Sequence, residues 1–195
     1  MSGRNDFIFQ RGFKAQSERQ AIEYREKLGI HPCGVLSAKS LAEHLDILIY
    51  CVSEIVENKE DLEKILGGSK VSYDFSAVHF SNQDGRSVII HNSKHSLPRQ
   101  ESNLMHEIAH VLCNHVIPED YKDIPIAFGM RYYSEEQEEE AKYLGGCLQI
   151  SKPGLLWATK RQMSIEEMAN YYTASIDMVR YRLNITGISK RLSSK

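Results

Sequence analysis

Apolar residues recur at helical spacing across residues 17–28 and 38–44, and the breaker Gly29-Ile30-His31-Pro32-Cys33-Gly34 separates the two segments. The stretch 46–56 is apolar and β-branched enough to predict a strand. A short charged helix at 58–66 follows, stopped by Gly67-Gly68. Residues 71–81 turn at Asn82-Gln83-Asp84-Gly85 into 86–91, which predicts a β-hairpin. The chain then runs through Pro98 into a segment where Leu104, Met105, Ile108, Ala109, Val111 and Leu112 leave hardly a polar face. That pattern predicts a buried helix, with Ser102 or Asn103 to cap its start. Ser134 and Gln137 form a capping box for a later helix, on which Ala141, Leu144, Gly145 and Leu148 repeat at helical spacing. Two small residues on that face allow another helix to approach closely.

The buried helix carries the chemistry. It holds His106-Glu107-Ile108-Ala109-His110, and residues four apart stand one turn above each other on a helix. His106 and His110 can therefore offer two imidazole nitrogens to one metal ion. Glu107 stands beside that face, within reach of a water next to the metal, as in zinc proteases with a Glu general base. Polar groups in an interior need partners, and a metal supplies one. The competing reading is a pair of core histidines satisfied by hydrogen bonds. A third ligand is expected downstream, where Glu138 lies one turn before Ala141 in the acidic run 135–140; a solvated helix start accounts for the rest of that run. His115 is five residues past His110, roughly 140° round an ideal helix, and is expected to face another element. Cys113 and Val116 stand where the metzincin pattern asks for Gly and His, which excludes it. Cys113 reads as core packing rather than a ligand. His79, His91 and His95 read as ordinary strand or surface histidines, with an oxyanion contact as the alternative.

Composition narrows the class. The 195 residues carry 24 Lys and Arg against 26 Asp and Glu, so no global field recruits nucleic acid or an anionic membrane. No apolar run approaches the roughly 20 residues that span a bilayer, and Arg4, Asp6, Arg11 and Lys14 leave no secretory signal at the start. Cys33, Cys51, Cys113 and Cys147 form no Cys-x-x-Cys pair and read as reduced thiols of a cytoplasmic protein. The loop 117–133, with Tyr121, Phe128, Tyr132 and Tyr133, is long enough for a lid over a cleft; aromatics pinning a surface loop are the plainer reading. Residues 164–187 read as helix, turn, helix, with Arg180 and Arg182 on the second. A DNA-binding helix-turn-helix is one reading, but Met178, Val179, Tyr181 and Leu183 leave little of that helix free for bases. Lys190, Arg191 and Lys195 beyond it read as a frayed basic tail.

The HEIAH helix, the acidic helix about thirty residues on and the stretches flanking both resemble the ImmA/IrrE family of bacterial and phage metallo-endopeptidases, zincins of the gluzincin type. The resemblance extends to 11–14, 21–29 and 41–44 near the start. It implies an α+β zincin-like domain, a small mixed or antiparallel sheet packed on the HExxH helix and on a second helix bearing the last ligand. The family's second motif, roughly Glu-x-x-Ala-Asn/Asp-x-Phe-Ala, places the zinc ligand at Glu138, with Glu139 and Glu140 as substitutes. Zn2+ would then be held by His106, His110 and Glu138, with Glu107 as the catalytic base. Lys142 departs from the family's Asn or Asp, a residue expected to hold a ligand histidine, and losing such a partner typically costs about 10- to 100-fold in affinity or activity. Leu144, Gly145 and Ser151 depart as packing variants. The implied organisation is a peptidase domain at 1–160 and a C-terminal helical segment at 161–195 packed on it. The implied substrate is a protein, a repressor-type transcription factor. The alternative function is a zinc-holding regulator, weak or inactive as an enzyme, that acts by binding a partner or DNA.

Overall fold

The computed structural model describes residues 9–66, 75–116 and 133–188. The helix stop at 67–68, the first residues of the hairpin at 71–74, the aromatic loop at 117–132 and the basic tail beyond 188 lie outside them. Among the described residues the chain is a mixed α+β structure of nine helices and one three-stranded sheet. The helices are α1 (Phe13–Lys27), α2 (Ala38–His44), α3 (Val52–Ile55), α4 (Lys59–Ile65), α5 (Leu97–Leu112), α6 (Glu135–Gln149), α7 (Lys152–Lys160), α8 (Ile165–Tyr172) and α9 (Ile176–Ile185). The strands are β1 (Leu48–Cys51), β2 (Ala77–Ser81) and β3 (Ser87–His91).

The sheet is mixed, in the order β1-β3-β2. β3 lies in the middle, parallel to β1 and antiparallel to β2, with His79 opposite Ile89. The hairpin closes at Asn82-Gln83-Asp84-Gly85, where Asn82 Oδ1 accepts from the amides of Asp84 and Arg86 and Gly85 takes a φ of 80°. The predicted strand at 46–56 is half right. β1 ends at Cys51, and Glu54 turns the chain into α3 by accepting from the Cys51 amide at 2.6 Å.

The predicted buried helix starts earlier than expected, at Leu97 with Ser96 as N-cap, rather than at Ser102 or Asn103. Pro98 fits there because the first turn has no use for its missing N–H. Nor is α5 buried all round. Leu104, Met105, Ile108, Ala109 and His110 are buried, whereas His106, Glu107 and Val111 are half-buried. One side faces the sheet and α6, and the other opens outward.

α6 runs antiparallel to α5. Ser102 Oγ donates to Gln149 Oε1 at one end, and at the other Gln137 Nε2 donates to the Val116 carbonyl. The Ser134–Gln137 capping box starts it as predicted. Arg25, fully buried on α1, ends it: its Nη2 donates to the Leu148 carbonyl at 2.8 Å, a cation at the negative end of the helix dipole. Apolar residues of α1, α2, α5, α6 and the sheet make one core; α7, α8 and α9 make a second around Leu155, Met168, Tyr172 and Val179.

Candidate metal centre

The two helices bring His106, His110 and Glu138 to one point. The His106 and His110 Nε2 atoms are 3.0 Å apart, Glu138 Oε2 is 3.2 Å from His106 Nε2, and Glu138 Oε1 is 3.7 Å from His110 Nε2. Zinc bonds of about 2.0–2.1 Å at tetrahedral angles would hold ligand atoms roughly 3.3 Å apart. Two imidazole nitrogens and one carboxylate at those separations fit zinc in number, spacing and chemistry. Exposure differs across the cluster: the His110 side chain is 1 % exposed and that of Glu138 46 %. The centre is thus rooted in the core and open on one side.

Close approach of the helices makes this convergence possible. A Cβ at Gly145 would lie 3.0 Å from the Met105 carbonyl oxygen and 3.2 Å from the His106 amide nitrogen, so any side chain would crowd the backbone where α6 crosses the first histidine. Glu138 stands two turns earlier on the same face. Gly145→Ala is expected to push α6 away. Overpacking costs about 1–3 kcal/mol, against which the gain in helix propensity is at most about 1 kcal/mol. A lower urea midpoint together with weaker zinc binding in titration would show both effects; an unchanged zinc affinity would mean that the crossing does not set the ligand spacing.

The neighbouring carboxylates have other partners. Glu139 accepts from Lys142 Nζ at 3.0 Å, and Glu140 Oε2 accepts from His115 Nε2 at 3.1 Å. Lys142 is therefore engaged on the outside of α6. The contact to His110 comes from His115, whose Nδ1 is 2.9 Å from His110 Nδ1. The helical angle expected for His115 does not apply, because α5 ends at Leu112 and Asn114 reverses the chain at a φ of 53°. Burial draws the His115 imidazole below its ordinary pKa, against the pull of Glu140 the other way. Cys113 plays no part in the cluster, and burial, with Glu140 nearby, pushes its thiol up to about 11.

His79 is not an ordinary strand histidine. It is buried on β2, and its Nδ1 lies 3.0 Å from Glu107 Oε2. Tyr133 Oη lies 3.2 Å from His79 Nε2, and the Tyr133 ring stacks on His110 with centroids 3.9 Å apart. Because a carboxylate only accepts, His79 Nδ1–H donates to Glu107, and in the neutral ring the Tyr133 hydroxyl donates to Nε2. The available signal was strand alternation: Ala77, His79 and Ser81 share the face of β2 opposite to Val78 and Phe80. His91 faces elsewhere, its Nε2 3.5 Å from Cys51 Sγ, and His95 lies beside Asn92 and Asn103.

The C-terminal helices do not present Arg182 to solvent. It is fully buried, donating from Nε to the Ile150 carbonyl and from Nη2 to both Glu18 oxygens at 2.9 and 3.1 Å.

A family model described as Peptidase_M78, IrrE N-terminal-like domain, matches residues 68–184, more than half of the chain. Among solved structures, a Mycobacterium tuberculosis transcriptional regulator is similar, with a TM-score of 0.52 at 12 % identity over 90 % of this chain. At that identity the likeness concerns the fold alone, and this chain spans 47 % of that protein's length. No curated protein matches.

Proposed function

The chain belongs to the IrrE N-terminal-like peptidase family, and we propose that it is a zinc-dependent endopeptidase with a zincin-like site. The observation that carries this reading is the convergence of His106, His110 and Glu138 within 4.8 Å of one another, with Glu107 next to the first histidine on α5. Zinc held there would supply Lewis acidity toward the scissile carbonyl and toward a water molecule. Glu107 takes a proton from that water as its oxygen attacks the carbonyl carbon. As the C–N bond breaks, the same carboxyl group hands the proton to the departing amine. His79 orients Glu107 by donating from Nδ1. Among the described residues β2 is an edge strand of the sheet, and it places His79 against Glu107, so an extended substrate segment pairing along β2 would lie beside the centre.

The substrate we infer is a protein, a repressor-type transcription factor; the structural neighbour is itself a transcriptional regulator, which supports a regulatory setting. Four unpaired cysteines, and the lack of any described helix long and apolar enough to cross a membrane, support a cytoplasmic location. The organisation we propose keeps 1–160 as the peptidase unit and 161–195 as a C-terminal segment, whose described helices α8 and α9 share a core with α7 and reach α1 through Arg182 and Glu18.

Metal analysis tests the site directly. Purified protein is expected to hold about one zinc per chain, because a three-ligand site binds one ion. Glu138→Ala is expected to lose the zinc or hold it much more weakly. A wild-type protein that takes up no zinc on reconstitution, or a variant that binds as well as the wild type, would sink the assignment. A second reading is a zinc-holding regulator that binds its partner without cutting it. It draws on the engagement of the Glu107 carboxylate by His79.

A further inference from the structure

Outside the ligand set, His115 meets the buried His110, and Glu140 stands behind His115. The C-terminus of α5 closes in a Schellman arrangement: the Asn114 amide donates to the Val111 carbonyl at 3.0 Å and the His115 amide to the His110 carbonyl at 3.1 Å. Asn114 supplies the left-handed residue this turn needs. Such a turn sets the residue after the left-handed position against the third residue from the helix end, commonly as an apolar contact. Here the two residues are His115 and His110, and the contact is polar.

The order of donors along this chain is determinate. Glu140 Oε2 only accepts, so His115 Nε2 carries the proton that bridges their 3.1 Å separation. In the neutral ring, His115 Nδ1 is then an acceptor. The hydrogen in its 2.9 Å contact with His110 Nδ1 therefore belongs to His110. With Nδ1 protonated, neutral His110 keeps its lone pair on Nε2, the atom that faces His106 and Glu138. The opposite tautomer would put a hydrogen where a metal must bind. The side chains of His115 and Glu140 are only 5 % and 15 % exposed, so water competes poorly for these bonds.

We propose that His115 and Glu140 are positioning residues, a Glu140–His115–His110 relay that fixes the metal-binding tautomer and ring plane of His110. The inference rests on the zinc reading and adds to it the two groups that tune the site. Lys142, tied to Glu139, has no share in the relay.

The test is zinc affinity, measured by chelator competition on the full chain, together with the visible spectrum of the cobalt-substituted protein. His115→Leu is expected to weaken zinc binding about 10- to 100-fold, the usual scale for such outer partners, and to shift the cobalt bands. His115→Gln, which keeps a carbonyl acceptor, is expected to recover part of the affinity. Glu140→Ala, which leaves His115 in place, is expected to fall between wild type and His115→Leu, and it serves if His115→Leu does not fold. Lys142→Ala is expected to bind as the wild type does. Native affinity and unchanged cobalt bands in Glu140→Ala and in a folded His115→Leu would overturn the relay while leaving the zinc site standing. A wild-type chain that binds neither metal would overturn both.

Discussion

Glu107→Gln is expected to leave zinc content unchanged and to lower kcat/KM for peptide-bond cleavage about 100- to 10,000-fold, the usual contribution of a positioned general acid–base group. Gln matches Glu in size, and its carbonyl oxygen can still accept from His79 Nδ1, so the local packing is retained. What disappears is the ability to take a proton from water and return it to the leaving amine. Gel-based cleavage of a candidate repressor protein, with metal content measured on the same samples, separates the two readings. Loss of cutting with zinc and partner binding intact identifies the endopeptidase. A wild type that binds the partner and never cuts it, matched by an indistinguishable variant, identifies the zinc-holding regulator. Cutting that survives the substitution would remove Glu107 from the mechanism.

How much of this was readable from the chain depended on the range of the interaction. The His106/His110 pairing and the Ser134–Gln137 cap are one-turn relations, and helical periodicity alone carries them. The short range also misled. The apolar run at 46–56 predicted one strand, but Glu54 folds back on the Cys51 amide and starts a helix. Gly145 was legible as a place for close approach, though not the fact that it lies over the Met105 carbonyl and the His106 amide. His115 does face another element, Glu140 on α6, but not for the reason given, and His79 was misjudged. The angular argument for His115 assumed that the helix continued, and the left-handed Asn114 ends it. The role of His79 depends on how β2 meets α5, a tertiary relation without a local signature. Lys142 drew attention as a departure from a family motif; the contact sought at that position is made by His115, from another element.

Arg182→Met is expected to destabilise the chain by about 3 kcal/mol or more, since removing one partner of a buried ion pair strands the other. Arg182 ties three parts together: Glu18 on α1, the Ile150 carbonyl between α6 and α7, and its own helix α9. Gly146 makes room for it, because a Cβ there would meet Arg182 Cδ at 3.0 Å. Methionine fills much of the stem's volume but leaves Glu18, with a side chain only 16 % exposed, without its cation. Domains are typically stable by about 5–15 kcal/mol, so the urea midpoint should drop clearly. Adding Glu18→Gln should restore part of the loss, because the stranded charge goes with it. No recovery in the double variant would assign the cost to packing rather than to the pair. The same measurement bears on the helix-turn-helix reading. A groove-inserted arginine would lose DNA affinity on substitution and leave the midpoint nearly unchanged. A buried staple does the reverse, and its burial places Arg182 in the joint between the two cores.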